Sequence, residues 1–576
     1  MPSSPPSGSD QERRPTKITK MDDSIDVTHA TTGTAEIPSY RPDAKTRRYD
    51  RQLRLWASAG QRSLESARVL LVGCDATGCQ ALKNLVLPGI SHFTILSPHL
   101  TTSQDVATNF FLHPDSVGSP IAEQSVKYLK ELNPAVDGSP RVEELSSLLV
   151  SEPEFFTSFT LILASNIEPA FELQLADLLW DTSASVGGPD IPLIAIRNSG
   201  FIGRVEIQLR EHSVVDTHPD TTHTLRLDEP FPSLEEHARS LDLSTMDSME
   251  HSHIPWVVLL VRAASLWKES RGGKLPGTSE EKARFKKSIK EDMMKGDEEN
   301  YEEALAQAYR VWSKSEVPWE IKQLLEDESV KNISSSSKNL QILLHTLSLF
   351  TSIAPHLPPT SPSLPDMHSS TTSYVHLQNL YKKEYQTDLA RFKQLLSEVL
   401  GNIDLEDGTI PDEEVEGFVK NVGGVGIIKG TPLRASKEGK GLITEQIKEY
   451  QYDEYDGSTT CFAMHLALLA SEQFFIAHKR WPGAKAQQDM SEDNREVEEI
   501  LKGILGKKNL EEVDDIFVEC IAEVTRGGFG TLPTTAAFLG GVVAQEAIKL
   551  VTNQYTPLDN TVIVNLVKSE SAKFKF

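Results

Sequence analysis

The chain has 576 residues, of which 39% are hydrophobic and 24% are charged, as in an ordinary globular protein. At roughly 100–200 residues per domain, this length predicts about three or four domain-sized units. The 58 basic and 83 acidic residues give a formal net charge of −25, which repels phosphate backbones and anionic membranes. We therefore expect protein partners, basic ones included, and neither nucleic-acid nor membrane partners.

Two further classes of protein are disfavoured by sequence patterns. The longest apolar run, 536–544, is far shorter than the roughly 20 residues of a membrane span, and the N-terminus lacks the apolar core of a signal peptide. Four cysteines are too few for a disulfide framework in a chain of this length. These features predict a protein of a reducing compartment.

The N-terminal residues 1–40 are rich in Ser, Pro, Thr, Asp and Lys, and they predict a disordered tail because they cannot bury enough apolar surface. Order is expected to begin near Tyr49. A helix is predicted over 48–56, with Leu53 and Trp56 on one face.

An alternation of strands and helices follows, which is typical of a parallel sheet. Helices are predicted at 78–87 and 125–132, and buried strands at 67–72, 92–96, 159–164 and 191–196. Residues 201–209 alternate between apolar and polar side chains, which predicts a strand with one exposed face.

The middle of the chain has a different sequence pattern, which predicts long amphipathic helices. A Pro/Ser-rich segment at 355–365 and a Gly-rich segment at 422–430 interrupt these helices. The predicted helices are 256–267, 279–294, 300–312, 340–353, 377–400 and 461–478. An α/β pattern returns near the C-terminus, with a strand-like run at 516–524, a helix at 534–551 and a strand at 560–566.

These patterns predict a single α/β domain that is interrupted by a large, mainly helical insertion. The expected boundaries are a tail at 1–40, the first part of the α/β domain at 41–210, the insertion at 211–510 and the completing part at 511–576.

A glycine-rich turn from Gly73 to Gly78 lies between a predicted strand and helix, where a Rossmann-type fold binds phosphate. A functional loop has glycine at its third position, but Asp75 adds bulk and negative charge there. The next strand should end in a carboxylate for the ribose hydroxyls, but it ends in Ser97. We therefore predict a degenerate nucleotide loop that is retained for packing.

Several sequence blocks resemble the ThiF-type adenylation domain of ubiquitin-like-modifier activating enzymes. These are YDRQLRLW (49–56), LKNLVLPGI (82–90), ELNP (131–134) and AAFLGGVVAQEAIK (536–549). Further blocks resemble, more narrowly, the regulatory subunits of heterodimeric neddylation-activating enzymes. These are LRLDEPFP (225–232), HSHIPWVVLL (251–260), LPDM (364–367), LQNLY (377–381) and RWPG (480–483).

The chain departs from active members of that family at five places. The loop has Asp75 among its glycines, and Ser97 stands where active members have the ribose-binding Asp. The block that supplies a phosphate-binding Arg in active members aligns with 108–111, which has no Arg, and the block that supplies a Lys aligns with 118–121, which has no Lys. The magnesium-binding Asp aligns near 164–166, which has no carboxylate. The resemblance therefore implies no catalytic residue, no metal site and no ATP in this chain. ATP and Mg²⁺ are expected in a catalytic partner subunit.

The resemblance also implies a role for Arg51, which aligns with the arginine that family members supply in trans to ATP in the partner. Arg54 is expected to be structural or interfacial. The implied assembly is a heterodimer with the catalytic subunit that activates a ubiquitin-like modifier, in the cytoplasm and nucleus.

Other sites and functions are weaker alternatives. Cys74, Cys79, Cys461 and Cys520 are all in apolar contexts and are expected in the core, and the spacing around His251 and His253 does not favour zinc. The alternative functions are a SUMO-type regulatory subunit, a nicotinamide-dependent oxidoreductase on the Rossmann-like turn, and an adaptor unrelated to conjugation. Asp75 and Ser97 speak against the oxidoreductase, and the large insertion against the SUMO type.

Overall fold

The computed structural model describes residues 43–184, 189–216, 225–438, 458–484, 490–506 and 515–576. The tail predicted over residues 1–40 lies outside the described residues. The strands are β1 Arg68–Val72, β2 His92–Leu96, β3 Asp137–Arg141, β4 Leu161–Ser165, β5 Leu193–Ser199, β6 Ile202–Gln208, β7 Glu211–Val215, β8 Val425–Lys429, β9 Thr561–Asn565 and β10 Glu570–Phe574.

Helices make up most of the remaining regular structure. Those before β7 are α1 Ala44–Ser66, α2 Ala76–Val86, α3 Ser103–Thr108, α4 Ile121–Lys130, α5 Leu145–Ser151, α6 Pro153–Phe156 and α7 Pro169–Ala184. Those between β7 and β8 are α8 Pro232–Ser240, α9 Ser248–His251, α10 Trp256–Ser270, α11 Ser279–Glu291, α12 Glu299–Gln307, α13 Trp319–Leu325, α14 Glu328–Lys331, α15 Asn339–Ser352, α16 Thr371–Asn402 and α17 Asp412–Lys420. Those after β8 are α18 Leu433–Glu438, α19 Ser458–His478, α20 Met490–Gly506, α21 Asp515–Gly527 and α22 Pro533–Thr552.

The main sheet has eight strands in the order β10-β9-β6-β5-β4-β1-β2-β3. The five strands β3, β2, β1, β4 and β5 are parallel, and β6, β9 and β10 continue the sheet in antiparallel pairs. Chain order reverses between β1 and β4, and at such a point the loops diverge and leave a crevice at the carboxyl ends of the strands. This doubly wound α/β arrangement confirms the predicted fold class.

Helices cover both faces of the sheet. Helices α2, α4 and α22 pack on one face, and α5, α6 and α7 pack on the other. The antiparallel edge is covered by α19, α20 and α21, whose apolar side chains join those of β9 and β10 in one core. Packing on the sheet therefore resumes at α18, whose Leu433 joins the core of α5, α6 and α7, and it continues with α19, upstream of the boundary predicted at residue 511.

The intervening segment forms two helical cores of its own. Residues between 225 and 381 build the first core, and residues between 317 and 425 build the second. Helix α16 has 32 residues, about 48 Å at 1.5 Å per residue, and it contributes Tyr381 to the first core and Phe392 to the second. This single helix connects both halves of the insertion.

Two predictions about individual elements were wrong. The run at 516–524 belongs to helix α21, because its apolar residues Phe517, Cys520, Ile521 and Val524 recur every three or four residues and form one buried face. Strand β6 was expected to have an exposed face, but all of its residues are buried. The sequence analysis also missed β3, β10 and the two-stranded sheet of β7 and β8.

The polar face of β6 is buried because it belongs to a network of six charged side chains. Its members are Glu172, Arg197, Arg204, Glu206, Lys437 and Glu472. Arg197 donates to Glu172 at 2.8 Å and to Glu472 at 3.1 Å, and Lys437 lies 3.4 Å from Glu472. Burial opposes the charge of Glu472, but Arg204, Lys437 and Arg197 hold the pKa of that carboxyl well below its usual range. Three positive and three negative charges therefore compensate one another inside the protein.

In the part of the chain that the structure describes, two helices, α19 and α22, are long and apolar enough to cross a membrane by length and composition alone. Both helices pack against other elements of the same chain. Helix α19 is largely buried in the core of the antiparallel edge, and α22 packs along α2. Their apolar character is explained by this packing.

The α2–α22 contact depends on Gly540. A Cβ added there would lie 2.6 Å from Gln80 Cβ and 2.9 Å from Ala81 N, whereas a Cβ at the adjacent Gly541 would meet nothing within 4 Å. Gly540 therefore allows the two helices to approach at backbone distance.

We predict opposite stability effects at these two glycines. Gly540→Ala should lower the free energy of unfolding by about 1–3 kcal/mol, because the methyl group meets a helix backbone that cannot move aside cheaply. Gly541→Ala should raise it by about 0.5–1 kcal/mol, since alanine has the higher helix propensity. Calorimetric unfolding of both variants and wild type measures the difference. Equal effects would contradict the close contact.

Candidate functional site

A cleft of about 560 Å³ opens at the carboxyl ends of β1, β2 and β4, beside the point where chain order reverses. Its floor is formed by the turn after β1, where Gly73, Cys74 and Asp75 lead into α2. In this fold class the crevice at that position is the nucleotide site.

The two predicted loop glycines have steric roles. Gly73 has a φ of +84°, and a Cβ there would lie 2.3 Å from the carbonyl oxygen of Ser165. A Cβ at Gly78 would lie 2.7 Å from the Leu71 side chain, so this glycine allows α2 to pack closely on β1. Both glycines are needed by the fold itself, as the packing interpretation of the loop requires.

Asp75 is the N-cap of α2, and its carboxylate accepts four hydrogen bonds. Oδ1 accepts from the Gly78 N–H at 3.0 Å and from Ser165 Oγ at 2.6 Å. Oδ2 accepts from Asn166 Nδ2 at 2.7 Å and from Thr531 Oγ1 at 3.3 Å. The N-terminus of a helix attracts anions through its free N–H groups and its dipole. Here the protein's own carboxylate occupies that position.

The donors to Asp75 are connected through Asn198 on β5. The Asn198 side-chain oxygen accepts from Thr77 Oγ1 at 3.1 Å and from Asn166 Nδ2, and its Nδ2 donates to Thr531 Oγ1 at 3.1 Å. The network joins the first loop to the segment between α21 and α22. The sequence analysis missed Asn166, Asn198 and Thr531 as partners of Asp75, because they are far apart in the chain and follow no spacing rule.

Ser97 lies where predicted, at the end of β2 and on the wall of the cleft. It is 1% exposed, and its Oγ accepts the His99 N–H at 3.4 Å. A ribose-binding carboxylate is absent at this position of the described cleft. The acidic side chains that line the cleft are Asp75, Asp105, Glu144 and Glu168.

The cleft does not fit ATP with Mg²⁺. Among the described residues that line it, none is Lys or Arg, so nothing there neutralises the triphosphate. At the end of β4, Asn166 stands where the related active enzymes are expected to have a magnesium-binding carboxylate, and its amide donates to Asp75. The phosphate position itself holds a negative charge. No chemical step on a nucleotide follows from this lining.

All four cysteines are buried, as predicted. The Cys74 and Cys79 Sγ atoms lie 3.9 Å apart, and this contact together with burial raises the pKa of the Cys74 thiol. Burial also raises the pKa of the Cys520 thiol to about 12. These pKa shifts keep the Cys74 and Cys520 thiols protonated, and thiolates are the reactive form.

His251 is buried and hydrogen bonded on both ring nitrogens. Nδ1 lies 2.8 Å from Glu298 Oε1, and Nε2 lies 3.1 Å from the Tyr301 hydroxyl. The ring therefore links α9 to α12. Across the part of the chain that the structure describes, no group of three or more His, Cys, Asp or Glu side chains is arranged to hold a metal ion.

Arg51 lies on the first half of α1, which is bent at Trp56 and Ala57. This half is attached through Tyr49, whose hydroxyl accepts from Asn133 Nδ2 at 3.0 Å. Gly89 lies against the same ring, where an added Cβ would be 2.5 Å from the hydroxyl oxygen. Three separate motifs of the sequence, YDR, LPGI and ELNP, therefore meet at one buried tyrosine.

The arginines of this helix differ in their contacts. Arg54 pairs with Asp50 at 3.3 Å. Arg51 is exposed, and to the extent of the described residues its guanidinium makes no hydrogen bond or ion pair. Arg51 is thus a solvent-facing cation on an anchored helix.

A family model and a solved structure match parts of this chain. Residues 49–171 match the ThiF family. A crystal structure of E. coli MccB with AMPCPP and MccA is 16% identical, covers 29% of this chain and 49% of its own, and has a TM-score of 0.24.

Curated relatives align over nearly the full chain. The NEDD8-activating enzyme E1 regulatory subunit of Xenopus laevis is 33% identical over 92% of this chain and 98% of its own length. The Drosophila melanogaster protein of the same name is 33% identical over 92% and 97%, and AXR1 of Arabidopsis thaliana is 31% identical over 92% and 96%. Because this identity extends from the ThiF region through the insertion to the C-terminus, the chain belongs to the family of NEDD8-activating enzyme E1 regulatory subunits.

Proposed function

We propose that this chain is the non-catalytic half of a heterodimer that activates a NEDD8-type modifier. The catalytic partner subunit binds ATP and Mg²⁺, forms the acyl-adenylate on the C-terminal glycine of the modifier and captures it as a thioester. The observation that carries the proposal is the Asp75 carboxylate at the N-terminus of α2, in the position that a nucleotide phosphate would need.

In this proposal the chain makes one direct chemical contribution, through Arg51. Adenylation places negative charge on the phosphates of ATP as pyrophosphate leaves. A guanidinium stays charged and can bond two phosphate oxygens at once. Exposure of Arg51, its lack of described partners and the anchoring of its helix through Tyr49 support a role across the subunit interface.

The alternatives have less support. An oxidoreductase would need the same cleft for a dinucleotide, and the Asp75 carboxylate and the absence of a ribose-binding acid at Ser97 oppose it. The full-length similarity to NEDD8-type subunits also speaks against a SUMO-type subunit and an unrelated adaptor. The localisation in cytoplasm and nucleus stays a prediction.

The purified chain alone should not catalyse modifier-dependent exchange between ATP and pyrophosphate. The physical reason is the missing positive charge in its cleft together with the fixed carboxylate of Asp75. The assay is exchange of labelled pyrophosphate with the modifier at saturation, and the reconstituted heterodimer is the positive control. Robust exchange by the chain alone would contradict the non-catalytic assignment.

Replacing the four cysteines together with Ala or Ser should leave thioester formation by the heterodimer intact. All four thiols are buried, so no thiol of this chain is available to the modifier. A non-reducing gel measures the thioester, and circular dichroism verifies that the variant is folded. Loss of the thioester in a folded variant would place the nucleophile on this chain.

Arg51→Ala in the heterodimer should slow adenylation by at least about tenfold, or ~1.4 kcal/mol in the barrier. The loss arises because a cation in a water-poor interface interacts more strongly than one at a free surface. Arg51→Lys should rescue the rate only in part, since an ammonium cannot bond two oxygens in fork geometry.

Arg54→Ala is the matched control for Arg51, because it removes the same group three residues along the same helix. We expect it to leave the adenylation rate within about twofold, as for an exposed ion pair. Pyrophosphate exchange gives the rates, and size-exclusion chromatography verifies assembly. A wild-type rate for Arg51→Ala would return this residue to an ordinary surface arginine.

A further inference from the structure

The cleft keeps a volume of about 560 Å³ although its phosphate position is filled. Packing alone does not require an open cavity of this size, since protein interiors are otherwise densely filled. The charge of the lining is the opposite of what a nucleotide needs. The open part of the cleft is therefore acidic and suits a cationic ligand better than a nucleotide.

Two carboxylates on the lining have no partner among the described residues. Glu144 and Glu168 are exposed, and neither side chain makes a hydrogen bond or ion pair with a described residue. Asp75 and Asp105 are different, because the first accepts four hydrogen bonds and the second caps α3 through Thr102. Glu144 and Glu168 are thus available to a cation from outside.

The lining also has an apolar part, which is formed by Phe171, Phe475 and Trp481. Trp481 is held firmly, with the Phe529 ring stacked at 3.9 Å and the Arg197 guanidinium 4.9 Å from its ring centre. Phe475 lies 4.5 Å from the same indole, measured between ring centroids. This part of the lining suits the aliphatic stem of a long side chain.

Ser97 is the buried hydroxyl of the lining. It is 1% exposed, and its oxygen accepts the His99 N–H at 3.4 Å. Its hydroxyl proton has no acceptor among the described residues, so it can donate to a hydrogen-bond acceptor in the cleft, such as the carbonyl group of a peptide.

We propose that this cleft binds a basic peptide segment of a protein partner, with Arg or Lys side chains entering the cleft. The cationic group pairs with Glu144 and Glu168, the stem lies along Phe475 and Trp481, and a peptide carbonyl accepts from Ser97. This site does not involve Arg51. Its ligand is cationic, whereas the nucleotide that related adenylation folds bind is anionic.

The test is a calorimetric titration of the full chain with the peptide N-acetyl-Ala-Arg-Ala-Arg-Ala-amide. Saturable one-to-one binding is expected, weaker at physiological than at low ionic strength. The counterpart with glutamine in place of both arginines should not bind. Ser97→Ala should weaken binding several-fold, because it removes the hydroxyl donor but no charge.

A matched pair of variants separates the cleft from the general negative charge of the chain. Glu144→Gln with Glu168→Gln should weaken binding at least about tenfold. Glu236→Gln with Glu320→Gln removes two exposed charges from the helical insertion and should change affinity less than about twofold. Equal weakening by both pairs, or the absence of saturation, would overturn the proposal.

The chain's own N-terminal residues 13–20, RRPTKITK, are a competing occupant with four basic side chains. A full-length variant with glutamine at these four positions distinguishes the two sources. If the peptide binds wild type and this variant equally, the cleft is open to a partner. If it binds only the variant, the chain's own segment is the occupant and the proposal of a separate partner is wrong.

Discussion

The N-terminus of helix Ala76–Val86 attracts an anion, because its first N–H groups have no partners within the helix and its dipole is positive there. In this protein the anion is the Asp75 carboxylate, which accepts hydrogen bonds from Gly78, Ser165, Asn166 and Thr531. The same contact stabilises the helix, fills the phosphate position and joins the first loop to the C-terminal segment. One carboxylate therefore both stabilises the fold and occupies the position that a nucleotide phosphate would need.

The second constraint is that the α/β domain is assembled from segments separated by about 220 residues of chain between β7 and α18. The buried network of charged side chains lies across this separation, since Glu172, Arg197 and Arg204 precede the insertion and Lys437 and Glu472 follow its helical cores. Removing one member would leave an uncompensated buried charge, which costs about 3–5 kcal/mol. The network thus favours correct pairing of the two parts of the domain.

These constraints identify the parts of the adenylation fold that do not depend on a bound nucleotide. The glycines at positions 73, 78 and 540 are required by close backbone approach, whether or not a nucleotide binds. The anchored helix that carries Arg51 depends on Tyr49, Gly89 and Asn133, all outside the cleft. These scaffold contacts therefore form without a nucleotide in the cleft.

The sequence by itself determined the parallel strands β1, β2, β4 and β5 and the family, because buried parallel strands are continuous apolar runs and the family motifs are local. It missed the parallel strand β3, whose residues DGSPR are not apolar. It also indicated Asp75 and Ser97 as departures. It did not determine the partners of Asp75, since Asn166, Asn198 and Thr531 meet it only when strands order themselves in the sheet. Strand Ile202–Gln208 shows the same limit. Its alternation of apolar and polar residues is that of a strand with one exposed face. Only tertiary packing decided that Arg204 and Glu206 are buried against charged side chains from distant helices. A local sequence pattern shows which secondary structure and which environment its residue types prefer. Burial and charge pairing also depend on which distant segment of the chain packs against those residues.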